Sequence, residues 1–125
     1  MKLNYECIRD IMLYLEEKLE LNKAMYLKNI DIDYSVEDIK YSILKLKEID
    51  YIDVHIVDAD RVAILNAIIF DITFYGHEFL NTIRPMTVWE KTKEISTKVG
   101  VTTISSLTQI ASQIAAQLIT KQMGL

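Results

Sequence analysis

The side chains able to do acid–base, metal or phosphate chemistry are spread along this 125-residue chain rather than gathered. His77 and Glu78 stand side by side, a pairing that could form a proton relay or half of a metal site. Neighbours on a helix diverge by about 100°, however, so packing or capping is the better reading. The other histidine, His55, falls on the polar side of the alternating run Tyr51-Ile52-Asp53-Val54-His55-Ile56 and reads as an exposed strand residue. Acidic pairs recur at Asp31/Asp33, Glu37/Asp38 and Asp58/Asp60. Catalytic carboxylates need burial and displaced pKa values, whereas these sit at turns and helix starts. Cys7 is the only cysteine, which excludes an internal disulfide and a cysteine zinc site. It lies in a helical pattern and reads as a buried thiol. No glycine-rich phosphate loop or nucleophile motif is present. We therefore expect a chain that is not an enzyme, with no catalytic, metal-binding or cofactor-binding residue and no cofactor.

The remaining chemistry is binding. Lys40, Tyr41 and Lys45 can share an outward face of one helix, and Arg61 stands at a turn beyond it. These four are the candidate nucleic-acid contacts. Residues 31–60 nevertheless hold nine acids against three lysines, a net −6. Affinity for nucleic acid rests largely on neutralising phosphates, and such a surface opposes it. The whole chain carries −4, which gives no general attraction to polyanions.

The elements that must position these groups follow from hydrophobic period and caps. Asn4 can cap a helix to about Glu20, with Tyr5, Ile8, Met12, Leu15 and Leu19 as its stripe. Residues 24–32 suggest a short strand. Ser35 and Asp38 form a capping pair for a second helix bearing Val36, Ile39, Ile43, Leu46 and Ile49 on one face. Residues 51–56 alternate as a strand, Asp58-Ala59-Asp60-Arg61 is turn chemistry, and about Ala67–Thr73 forms the return strand. The intervening Val62-Ala63-Ile64-Leu65 is apolar. It either folds onto the core or offers a partner-binding edge through Ile64 and Leu65.

Thr73 can cap a helix that Arg84-Pro85 breaks. Gly76 lets that turn press on the sheet. A further helix starts near Thr87 and carries Trp89, the only tryptophan, which is expected to anchor it. The last helix runs from about Thr102 to Gln122, with Ile104, Leu107, Ala111, Ile114 and Leu118 spaced 3-4-3-4. The span Val99–Thr120 holds no charge, yet ten of its 22 residues are Ser, Thr or Gln, too polar to cross a membrane. The 3-4 seam must pack on the chain's own domain or on a second copy; the neutral exterior favours the second copy, with Ile104, Leu107, Ile114 and Leu118 as the interface of a homodimer or larger assembly.

A capped helix, a hairpin and a Thr-capped helix together predict a mainly α, α+β fold. We expect a winged-helix-like domain with a small antiparallel wing over residues 1–83 and a helical extension over 84–125. The first residues lack a continuous apolar core, so no secretory signal is expected and the cytoplasm is the default compartment.

Two segments also carry a resemblance. Ile72-Thr73-Phe74-Tyr75-Gly76-His77-Glu78-Phe79-Leu80-Asn81 and Thr87-Val88-Trp89-Glu90-Lys91-Thr92-Lys93 resemble the family called domain of unknown function 2513. Tyr34-Ser35 opening a helix, the following Tyr51-Ile52 and the closing Gly124-Leu125 fit as well. Members usually have Trp where this chain has Tyr75, and an acidic pair where it has Pro85-Met86. The resemblance implies a small winged-helix-like protein of bacteria and their phages or prophages, and supplies no catalytic residues. The expected function is a non-enzymatic regulatory or accessory module that binds a host or phage protein. The alternative is a DNA-binding transcriptional regulator.

Overall fold

The computed structural model describes residues 1–58 and 64–124. Five α-helices are present among them: α1 (Tyr5–Lys18), α2 (Val36–Glu48), α3 (Phe74–Ile83), α4 (Met86–Val99) and α5 (Ile104–Gln122). Three strands, β1 (Met25–Tyr26), β2 (Ile52–Asp58) and β3 (Ile64–Ile72), form one antiparallel sheet in the order β1-β3-β2. The fold is mainly helical, of the α+β class.

Local chemistry sets most boundaries. Asn4, Ser35, Thr73 and Thr103 each accept the backbone N–H three residues on, capping α1, α2, α3 and α5. The expected start of α4 at Thr87 moves to Met86, with Pro85 at the cap position. The expected strand near residues 24–32 shortens to two residues and continues as a 3-10 turn, Leu27–Asn29. α2 ends in a Schellman turn: Tyr51 N–H bonds Leu46 C=O at 2.9 Å and Asp50 N–H bonds Lys47 C=O at 3.0 Å. Asp50 supplies the left-handed residue at φ 59°. Val36 was expected on the core face but is exposed, because it starts α2 at the rim of the core.

α1 is the central element. It buries Cys7, Ile8, Ile11, Met12 and Leu15 and packs against α2, α3 and β3. The inner face of the sheet adds Ile52, Val54, Ala67, Ile69 and Ile72. One continuous core runs on through Phe79, Leu80, Ile83, Val88 and Trp89 to α5. The boundary expected at residue 83 therefore falls inside a shared core.

Tyr51 is the junction of α2, β2, α3 and α5. Its carbonyl accepts Thr73 N–H at 3.2 Å, its ring meets Phe79 at 5.0 Å, and its hydroxyl lies 2.9 Å from Thr108 Oγ1. α3 approaches so closely that a Cβ on Gly76 would stand 2.0 Å from the Tyr51 carbonyl oxygen. A backbone atom cannot step aside as a flexible side chain would.

A second junction forms where α3 turns into α4. Pro85 cannot donate an N–H, and the last carbonyls of α3 need donors. Arg9 supplies them, donating to Ile83 O at 3.2 Å and Arg84 O at 2.7 Å. Its guanidinium also lies 5.7 Å from the Trp89 ring centroid. Trp89 is fully buried and donates to Glu6 at 3.1 Å, and Lys93 pairs with the same carboxylate. Arg84 grips Glu16 through two bonds of 2.5 and 2.6 Å. That grip holds the Glu16 carboxyl below its ordinary pKa.

Gly76→Ala is expected to cost about 1–3 kcal/mol or more, as overpacking does. Urea titration checks this; a loss below about 0.5 kcal/mol, the range of neutral surface changes, contradicts the packing. The Glu16–Arg84 pair predicts a pH effect. Because the folded pKa of Glu16 is lowered, its contribution is complete above the ordinary carboxylate range and is lost as pH falls through the folded value. Both groups are partly exposed, so about 1 kcal/mol or less is at stake. Glu16→Gln should lower stability at pH 7 and flatten the decline between about pH 5 and 3. Identical pH profiles for the two proteins would contradict this.

Candidate interaction surfaces

α2 holds three of the four candidate nucleic-acid contacts. Its buried stripe is Ile39, Ser42, Ile43 and Leu46. At about 100° per residue, the opposite side centres on Glu37, Tyr41, Leu44 and Glu48. Lys45 stands beside Tyr41, its ammonium 5.2 Å from the ring centroid. The same ammonium lies 3.1 Å from both carboxylate oxygens of Glu48. Lys40 is half-buried at the other margin of this outer face. The structure thus joins Tyr41 with Lys45 and sets Lys40 apart from them. Arg61 lies outside the described residues. The middle of the α2 surface holds Glu37 with Tyr41 and Leu44, and Lys45 and Glu48 compensate one another.

Packing within the chain already covers most of the interface expected on α5. Ile104, Leu107 and Ile114 are buried within the chain and Leu118 is half-buried. α5 lies along α4 and touches α3. The 3-4 seam is thus satisfied in cis and does not require a second copy. Ile64 and Leu65 lie in β3, and their side chains fall outside the described residues.

The sequence reading missed an uncharged groove between the α3–α4 corner and the end of α5. It has a volume of about 520 Å³, with Pro85, Val88, Ala115, Leu118, Ile119 and Met123 among its lining residues. The available signal was Ile119 and Met123, apolar residues lying off the 3-4 seam. Both remain mostly exposed.

His55 and His77 are exposed on β2 and α3 respectively, and Glu78 is exposed beside His77. Among the described residues, no three His, Cys, Asp or Glu groups are placed to hold a metal ion. Cys7 is completely buried, and burial pushes its thiol pKa up, against reactivity. Tyr34 is likewise held protonated, first by burial and then by its 2.6 Å hydrogen bond to Asp10. On the outer face of the sheet, Asp53 pairs directly across from Asp71, and both are exposed. Among the described residues, no helix is long and apolar enough to cross a membrane.

The family model described as "Hypothetical protein (DUF2513)" matches residues 2–102. The chain belongs to this family. A relative in Haemophilus influenzae (strain ATCC 51907 / DSM 11121 / KW20 / Rd), named "Uncharacterized protein", is 28% identical over 120 residues. The similarity covers 95% of this chain and 99% of that protein. No solved structure matches. In this DUF2513 chain the matched region ends just before α5, although the core continues into that helix.

Because α5 completes the core, truncation after Lys98 should unfold or severely destabilise the protein. Removing Leu107 alone is comparable to a buried Leu→Ala change of about 2–5 kcal/mol. Circular dichroism during heating checks the truncated chain. A cooperative transition at the full-length temperature would show α5 to be dispensable.

Proposed function

We propose that this protein is a non-enzymatic binding module, a regulatory or accessory factor that works through protein–protein contact in the cytoplasm. In this reading the chain is winged-helix-like. The order α1, β1, α2, β2, β3 and the sheet order β1-β3-β2 support that arrangement. Such a module has a helix, here α2, whose outer face addresses a partner. The observation that carries the proposal is the character of that face. Glu37, Tyr41, Leu44 and Glu48 form its centre, with Lys45 already paired to Glu48. This surface presents no excess of cations toward phosphate and offers aromatic and aliphatic contact to a protein. The buried, unpaired Cys7 suits a reducing compartment. The phage or prophage setting rests on the family resemblance.

The second reading is a DNA-binding regulator. The helix–hairpin order favours it, as does Tyr41 with Lys45 on one flank. Affinity capture from a native host, with nuclease treatment, separates the readings. Under our proposal a protein remains bound after nuclease, and its recovery falls when Tyr41 and Leu44 are replaced by Ala. Duplex DNA should bind no tighter than the non-specific range of roughly 10⁻⁴–10⁻⁶ M at physiological salt. Nanomolar, sequence-dependent binding in a gel shift, weakened by Lys45→Ala, would overturn the proposal in favour of DNA.

A further inference from the structure

The order β1-β3-β2 leaves β2, among the described residues, with a neighbour on one side only. Among the described residues, no backbone bond from outside the sheet reaches residues 52–57. In an antiparallel strand, alternate residues direct their N–H and C=O groups toward the open side. These residues extend about 20 Å at 3.3 Å each. The edge is also sided. Ile52 and Val54 are buried on the inner face and Ile56 is half-buried, whereas Asp53 and His55 are exposed on the outer face.

The charge on that outer face selects the occupant. Like charges directly opposite in a sheet are destabilising, yet Asp53 stands across from Asp71. Among the described residues, neither carboxylate has an ion-pair partner. A second copy adding its own β2, which holds no Lys or Arg, would bring further carboxylates and no cation to this face, so charge does not favour self-pairing. A nucleic-acid backbone is disfavoured for the same reason.

We propose that the open edge of β2 accepts an extended segment of a partner protein in which Lys or Arg alternates with apolar residues. The added strand continues the sheet by backbone hydrogen bonds. Its cations lie beside Asp53, with the charge of Asp71 one strand further in, and its apolar side chains continue the row of Ile52, Val54 and Ile56. This assignment rests on the protein-binding reading given above.

The test uses the full chain and two capped synthetic probes, Lys-Val-Lys-Val-Lys-Val-Lys and its Glu-Val counterpart. Calorimetry should show the lysine probe binding at least about tenfold tighter, a difference of about 1.4 kcal/mol, and weakening as salt rises. Amide hydrogen exchange should slow at alternate residues of 52–57. The double variant Asp53→Lys, Asp71→Lys should reverse the preference, with Trp89 emission confirming that it is folded. Equal binding of both probes, no binding of either, or binding without protection of β2 amides overturns the assignment. Pairing of β2 with a second copy, seen as concentration-dependent protection without probe, overturns it too. If a captured protein binds while the lysine probe fails, the edge assignment alone falls. If only nucleic acid is captured, the protein-binding reading itself falls.

Discussion

The contact between helix α3 and the backbone of Tyr51 is the constraint on which the rest of the structure depends. Its geometry is permitted by the absence of a side chain at Gly76. The Thr73 hydroxyl donates to Asp50 O at 2.5 Å and accepts the Gly76 N–H at 3.1 Å. One residue thus ties the Schellman turn of α2 to the first turn of α3. The Tyr51 ring and hydroxyl extend the same junction to Phe79 and Thr108. The angle at which α3 leaves the sheet therefore sets where α5 can lie.

The second junction fixes the opposite end of α3. Arg9 and Glu16 are both on α1, and they hold Ile83, Arg84 and Trp89 from one side. Polar groups at the rim of the core thereby orient helices whose burial supplies most of the stabilisation. This division of labour explains why the helical C-terminal region cannot be treated as an appendage. Its anchor, Trp89, is completed by Glu6 from the first turn of the chain.

Much of this was legible in the residues. Caps at Asn4, Ser35 and Thr73 announce their helices by short-range chemistry, and the sequence reading placed them correctly. Gly76 was also readable, because a glycine one turn into a helix needs a reason. What the sequence could not show was direction. The 3-4 seam of α5 indicates a buried stripe equally well whether its cover is the same chain or another, and packing against α4 decided for the same chain. The pairing of Lys45 with Glu48 likewise depends on side-chain conformation, so the character of the α2 face emerged only from the structure. The groove at the end of α5 was missed because it is made by two segments remote in sequence.

Cys7 lies at the centre of this arrangement with no exposed surface, on the helix that α2, α3 and β3 all contact. A thiol reagent can reach it only when α1 separates from its neighbours. The rate of its modification is then a clock for those openings, read without engineering a cysteine into the chain. Since the chain contains one cysteine, each labelled molecule records a single kind of event. A natural side chain thus reports how often the core exposes its interior while the protein remains, on average, folded.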